Sequence, residues 1–565
     1  MVALAGLLAT GCVEPHVGPR AGAGESGVAD SPSDSAPLGE TGDSVAPESG
    51  PPPDTADSAD TADTGPTAWR SALYPEAWTP EFTAATGEFL HDFSYAGYHA
   101  GEVALPSPPP GASFDVTVYG ADPTGSADST AAVQAAIDAA SAGAPAVVDF
   151  PAGTYRFDGS LRVSTSGVAL RGAGSTSTFL YFTSAEGLDY AADLTFAGAI
   201  AEGGDHLFGA DLPARSTVIP LTDTAGIAVG DTVHLGWTIS PEFVTDHGMD
   251  GVWTAFNGEW RAFFRRTVVA VDAGGITVDV PTRYPMLMRD GASVRVATGY
   301  LTENGLQDLA ISNVNSWEPA WAHMQVHAVL FSGVQDAWVS GVASWESPLS
   351  TDGKGMHLMS SGIEVLDSRR VTIADTTLQN AQNRGDGGNG YLFEISRSNE
   401  ILTRDCTAVA GRHNFIQNWD FGSSGLVWLR DTTRDGRAML GDWDPWGYAA
   451  YSEYHHSLAM ANLVDSCTVE DGWQGVNRQT ESTGAGQSVT ESVFWNTRGG
   501  GYLRSLQYGN GYVIGTTAMD VHTDPTEWDW NNAGEGTEPS DWTEGLDEPL
   551  PLEPASLYED QLGRR

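Results

Sequence analysis

From about residue 300 onward the chain alternates short apolar runs with polar turns in a loosely repeated unit. Each unit has one strand-like run, a short polar turn, and a second run with a trailing bend. Four copies are AVLFS-GVQDA-WVSGVASW, GIEVL-DSRR-VTIADTTLQN, YLFEI-SRSNE-ILTRDCTAVA and FIQNW-DFGSSG-LVWLRDTTRD, and more run through NLVDSCTVEDG, SVTESVFWNT and GYVIGTTAMD. Strand-only units of roughly twenty to thirty residues predict a solenoid with one coil per unit. Adjacent coils then pair as parallel strands about 4.8 Å apart.

That geometry sorts residues into columns. If the large apolar residues of the first run face inward, Glu364 and Glu394 point outward on neighbouring coils. Gln417 or Asn418, then Asn477 or Arg478, and finally Arg504 continue that face. Asp375, Asp405 and Asp431 share a corner position suited to binding backbone. Cys406 and Cys467 fall two coils apart with Thr432 between them, roughly 9–10 Å, which is beyond disulfide reach and predicts free, buried thiols.

Upstream, Phe114 to Gly174 reads as a short strand, a Gly/Asp/Pro/Ser turn, and a helix. Asp128 or Ser129 is the N-cap, and Val133, Ala136, Ile137 and Ala140 form one apolar stripe. Short alternating strands follow (VVDF, YRF, LRV, VALRG), so the helix caps a stack of strands. The phrases Gly120-Ala121, Gly125, Asp128, Thr130-Ala131, Gln134, Ala136-Ile137 and Phe150-Pro151…Gly153…Tyr155 resemble the pectate-lyase-like superfamily. The resemblance implies an all-β fold: a right-handed parallel β-helix with an N-terminal capping helix. Its members include lyases, hydrolases, epimerases and tailspikes, so it implies fold more than function. Neither the Asp-Asp pair with Gly-His-Gly of polygalacturonases nor the Asp-Pro-His-Glu of alginate epimerases occurs, so no catalytic residue carries over.

Residues 200–299 break the rhythm. IAVGDTVHL and RTVVAVDAGGITVDV read as longer β segments, the second a hairpin turned at Ala273-Gly274-Gly275. This is a β-rich insertion whose Trp253, Trp260, Phe263 and Arg265 either line a cleft or glue the insertion to the coils. The body is 114–520. Residues 67–113 are read as an aromatic wrap along the first coils, and 521–565 as a C-terminal cap with a short amphipathic helix over the last coil.

Residues 1–12 are apolar and end in Leu8-Ala9-Thr10-Gly11-Cys12, which looks like a lipobox with Cys12 lipidated, although no basic n-region precedes it. Residues 13–66 hold eleven acids, one Arg and few large apolar residues, too little to fold. They read as a solvated spacer behind a lipid anchor rather than a transmembrane helix. The protein is then extracytoplasmic, as a cell-surface lipoprotein or a secreted monomer. A net charge of −47 argues against nucleic acid as a partner, while 18 Trp suit sugar stacking.

Long polar loops at 383–390, 411–415, 441–456 and 473–486 collect at one corner and would wall a groove. Glu364 and Glu394, about 5 Å apart, suit retaining glycoside hydrolysis; they suit equally an exposed ladder satisfied by Arg. Alternatively Asp386 or Asp420 adds oxygen ligands for Ca²⁺. For a lyase, His413 is the base, with Arg412, Arg478 and Arg504 to neutralise a uronate. Asn418, Asp442, Trp443, Asp444, Trp446 and Trp260 are candidates to bind sugar. His455-His456 has no third ligand at a recognisable spacing, which argues against zinc. A polysaccharide lyase, a glycoside hydrolase and a non-catalytic glycan-binding protein all stay open.

Overall fold

The computed structural model describes residues 68–565, apart from 314–319, 351–353, 442, 445–446 and 525–539. Cys12, the 13–66 segment, Asp442 and Trp446 therefore lie outside the described residues.

Three long parallel sheets run the length of the body. The first begins at Ala112–Asp115 and ends at Trp542–Glu544, and the second runs from Thr124–Asp128 to Thr468–Val469. The third stacks, in order, Leu161–Val163, Ala192–Ala197, His327–Ser332, Ser361–Leu366, Tyr391–Ser396, His413–Asn418, Ser452–Tyr454, Gly472–Gly475, Tyr502–Ser505 and Asp520–His522. This is an all-β parallel β-helix. Inward residues of all three sheets form one apolar column, with Phe196 on Phe331 at 4.4 Å and Phe393 on Phe415 at 4.9 Å. Such ladders fix each strand's phase, because a one-residue slip would turn every aromatic outward.

The capping helix spans Thr130–Ala142 and buries Val133, Ala136, Ile137 and Ala140 against the first coils. Asp128 Oδ1 accepts from the Thr130 N–H and ties this end to Asp158 N. The helix closes a strand edge that would otherwise lie open.

The insertion is antiparallel. Thr232–Thr238 pairs with Trp260–Asp272 and Ser293–Thr298, and the hairpin closes with Asp272 opposite Gly275. Its own core, including Trp237, Trp253 and Phe263, also packs on Phe421, Leu458 and Met460 of the coils. Trp253 and Phe263 are thus glue, whereas Trp260 and Arg265 line a cavity.

Two expectations about the termini change. The wrap reaches early and later coils alike: Tyr98 packs on Ala169 and Trp338 of the early coils, while Leu73, Tyr74, Leu90 and Phe93 cover Leu402, Val427, Leu463 and Trp495 on the outer face of the first sheet. The C-terminal helix Leu557–Arg564 joins them there and does not lie over the last coil. Asp465 Oδ2 receives Ser556 Oγ at 2.8 Å and Tyr558 N at 2.9 Å, which anchors the helix start. The cause is that sheet's apolar outer face, which the wrap and the C-terminal helix cover together.

The corner column is also corrected. Thr407 pairs with Thr432 and Thr432 with Thr468, so Asp431, not Thr432, sits between Cys406 and Cys467. Asp375 and Asp405 align instead with Arg430, and all three have left-handed φ of 50–55°. Asp431 is buried, and its Oδ1 accepts the Cys406 N–H at 2.8 Å. Cys406 and Cys467 are free and buried, and burial pushes both thiols well above their usual range. Neither is expected to react with a thiol-specific disulfide reagent in the native protein. Unfolding should release both, and reaction before unfolding would contradict the packing.

Candidate functional site

The outward column of the third sheet is set by strand register. Glu364 pairs with Glu394, Glu394 with Ile416, Ile416 with Glu453, Glu453 with Gln474, and Gln474 with Arg504. Gln417 instead takes an inward place between Ile395 and Tyr454. Stacking of Phe415 on Phe393 sets that phase. Arg478 lies beyond the column and reaches it through Glu453. The 441–456 stretch is not one loop, since Ser452–Tyr454 is a strand that adds a coil and places Glu453.

Glu364 and Glu394 share one histidine. His327 Nε2 lies 2.9 Å from Glu394 Oε2 and 3.8 Å from Glu364 Oε2. Glu394 is almost wholly enclosed: Asn418 Nδ2 donates to its Oε1 at 2.7 Å, and only 3% of its side chain is exposed, against 14% for Glu364. Burial, then the neighbouring Glu394 charge, raises the Glu364 carboxyl to about 7, against opposing pulls from His327 and Arg397. Burial opposes a charge on His327, but Glu364 and Glu394 outweigh it and raise the imidazole to about 9. At neutral pH His327 is therefore an imidazolium lying against Glu394, and Glu364 is a carboxyl poised between its two forms.

Beyond the C-terminal edge of these strands lies a cavity of about 470 Å³. The coil supplies Asp367, Arg397, Asp420 and Phe421; the insertion and its flanks supply Glu202, His234, Trp260, Arg261, Arg265 and Arg295. Asp367, Arg397 and Asp420 have left-handed φ of 49°, 44° and 72° where the chain leaves the sheet. Such backbone is costly for non-glycine residues and concentrates at functional sites. Asp367 is gripped by Arg397 at 2.8 Å and Arg265 at 2.9 Å; burial disfavours its charge, yet the guanidiniums hold it below the usual range. Asp420 meets Arg261 at 2.7 Å, but burial dominates and raises it. Trp260 is half-buried, with the Arg295 guanidinium 3.8 Å over its ring and its Nε1 donating to Ser293 Oγ. In a chain this acidic, four guanidiniums around one cavity are a local exception.

Other sequence candidates lie elsewhere. Arg412 is buried, donates to Gly385 O at 2.8 Å and sits 3.6 Å from Asp386. Asp386 precedes the strand Tyr391–Ser396, whereas Asp420 follows His413–Asn418, so they flank opposite edges of the sheet. Each carboxylate faces a different arginine, Asp420 meeting Arg261 and Asp386 lying near Arg412. His413 is buried, with Nδ1 on Tyr451 O at 2.6 Å. Burial pushes its imidazole below the ordinary value, which leaves it neutral and turned from solvent. Arg504 is buried beside Gln474, Trp443 is 70% exposed, and Asp444 Oδ1 accepts from the Gly447 N–H within its own loop.

Residues 113–204 match the family model described as "Rhamnogalacturonase A/epimerase, pectate lyase-like". That segment of the chain is pectate-lyase-like. No curated protein matches it. Among solved structures it is similar to an endo-xylogalacturonan hydrolase from Aspergillus tubingensis (10% identity, TM-score 0.39, covering 78% of this chain and 95% of that one). It is also similar to the tailspike protein gp49 of Pseudomonas phage LKA1 (13% identity, TM-score 0.36, covering 72% and 76%). A third is the catalytic unit of a GH87 alpha-1,3-glucanase from Streptomyces thermodiastaticus (12% identity, TM-score 0.31, covering 82% and 72%). The pectate-lyase-like match ends before every coil residue of the candidate site, so roles there rest on this chain's own geometry.

His327, Asp367, Arg397, Glu453, Arg261 and Arg295 were not singled out from the sequence. Asp367 and Arg397 had a readable signal, since each directly follows the run that carries Glu364 or Glu394. Arg261 and Arg295 had none, because the fold brings them from an insertion far away in sequence.

Proposed function

We propose that the protein is a carbohydrate-active enzyme that hydrolyses an acidic extracellular polysaccharide along the third sheet, anchored at the cell surface or secreted. One observation carries this reading: a Glu364 carboxyl raised to about 7 beside the His327–Glu394 pair, acted on by Arg397 and Asp367, which line a guanidinium- and Trp-bearing cavity.

In this reading Glu364 protonates the departing glycosidic oxygen, since a general acid works best when its pKa lies near the working pH. Glu394, enclosed on both oxygens, tunes Glu364 and holds His327. Asp367, kept ionised by Arg397 and Arg265, is the carboxylate that activates water. Arg261, Arg295 and Arg397 are each part-exposed and offer N–H groups to a uronate carboxylate, and Trp260 supplies an apolar edge. A lyase working through His413 is less well supported, because that ring is buried and its Nδ1 is committed to the Tyr451 carbonyl.

The test is a panel of pectic, alginate, glycosaminoglycan and neutral glycans incubated with the full chain. New reducing ends on a uronate-containing glycan, without the ultraviolet absorbance of an unsaturated uronate, are expected. That absorbance would overturn hydrolysis in favour of elimination, and glycan retention without cleavage would overturn catalysis.

A further inference from the structure

A second cluster of chemistry-bearing side chains sits on the same sheet, one coil beyond the glutamate pair. His413 lies on the strand His413–Asn418, while Glu453 and His455 come from the next coil. One ligand-type atom from each lies within 4.8 Å of the others. Their side chains are 7%, 0% and 6% exposed.

The surroundings of each group turn one atom toward a common point. His413 Nδ1 is committed to Tyr451 O at 2.6 Å, which fixes its proton there. Its Nε2 is buried without a hydrogen-bond partner among the described residues, 3.3 Å from Glu453 Oε1. Two acceptors facing each other at that distance are unfavourable unless something positive lies between them. Glu453 Oε2 is taken by Arg478 Nη1 at 2.9 Å and by Gln474 Nε2, which leaves Oε1 directed at the histidines. His455 Nδ1 contacts the same Oε1, and its Nε2 is 3.0 Å from Ser482 Oγ.

We propose that His413 Nε2, Glu453 Oε1 and His455 Nδ1 form a binding site for a divalent transition-metal ion, of which zinc is the best fit. Two imidazoles and one carboxylate form a donor set that zinc accepts, and the 3.3 Å between His413 Nε2 and Glu453 Oε1 suits tetrahedral bonds of about 2.0–2.1 Å, with the His455–Glu453 contact opening to admit the ion. Calcium and magnesium are disfavoured, because they require oxygen donors and two of these three are nitrogen. The outer contacts have the form that orients metal ligands: backbone carbonyl on one imidazole, hydroxyl on the other, guanidinium and amide on the far carboxylate oxygen. On binding, the proton that links His455 to Glu453 moves to Nε2, where Ser482 Oγ becomes its acceptor, so the ion replaces a proton without changing the net protonation of the ring. The ion would tie two coils together on the face that carries Glu364.

The experiment uses the full chain stripped by chelator, then dialysed against zinc or titrated with Co²⁺. One equivalent of retained zinc, a higher melting temperature and visible Co²⁺ absorption displaced by zinc are expected. His413→Gln and His455→Gln should abolish this, and Ser482→Ala, which spares every ligand, should weaken binding about tenfold to a hundredfold. No retained zinc in the unaltered chain would overturn the site. So would an unchanged equivalent in folded His413→Gln protein, or an all-oxygen octahedral Co²⁺ spectrum, which requires no variant to fold.

Discussion

Replacing Glu364 by Gln is expected to lower kcat on the cleaved glycan by about 10²–10⁴-fold, the usual contribution of a positioned general acid, with KM little changed. The amide keeps the shape of the side chain but has no acidic proton to give. Rate and pH should report the same group. Glu364 acts when protonated and titrates near 7, so the wild-type rate should fall about tenfold per pH unit above that value. Stability runs the same way: the folded-state pKa lies above the unfolded one, so the contribution is complete in acid and lost as pH rises through about 7. Glu364→Gln removes that loss, and the variant should unfold no sooner than wild type at alkaline pH. An inactive variant that is also unfolded would therefore contradict the assignment.

Glu394→Gln separates two roles. If Glu394 only tunes its neighbour, removing its charge lets Glu364 ionise more easily, and the alkaline limb of activity moves to lower pH while measurable turnover remains. If Glu394 were the nucleophile, turnover would vanish at every pH. The enclosure of its oxygens by His327 and Asn418 favours the first outcome.

The coil architecture was legible because the solenoid repeats its constraints: each unit needs an inward apolar run, and each corner a residue that tolerates left-handed backbone. The match of Glu364 to Glu394 was legible for the same reason, as their units have equal length. Past Glu394 the unit lengths change, so the expected column reads Gln417 or Asn418 for Ile416, omits the coil of Glu453, and reads Asn477 or Arg478 for Gln474. An aromatic stack inside the coil decides that phase, and nothing in the local pattern of FIQNW announces it. The cavity was the least legible part. Trp260 was named from its type alone, but the arginines around it come from strands of the insertion whose position over the coil depends on Phe421, Leu458 and Met460. His455 looked unpartnered in sequence because Glu453 lay in a presumed loop and His413 on a preceding coil.

The attachment of that insertion leads to the largest expected effect on stability. Glu400 is fully buried at a coil corner, with Arg283 Nη2 at 2.7 Å and Arg266 Nη2 at 3.3 Å, both from the insertion. Its backbone carbonyl also accepts the Gly97 N–H at 2.9 Å, so the wrap, the coil and the insertion meet at this residue. Burial pulls the Arg266 guanidinium down to about 10, with the Glu400 charge opposing that pull. Glu400→Gln keeps the volume but leaves two buried guanidiniums facing a neutral amide. Breaking one partner of such a group costs about 3–5 kcal/mol, more than most single substitutions, because the remaining charge has no water to return to. The loss should be local: hydrogen exchange should accelerate across 200–299 while the core of the coils holds. Because the insertion carries Trp260, Arg261, Arg265 and Arg295, KM should rise more than kcat falls, the reverse of the Glu364 result. Joint replacement of Arg283 and Glu400 by Met should cost less than the two single changes added together, since the Arg283 charge is then not left alone and only Arg266 loses its partner. Exchange rates in 200–299 unchanged by Glu400→Gln would mean that the insertion is held by its apolar contacts alone.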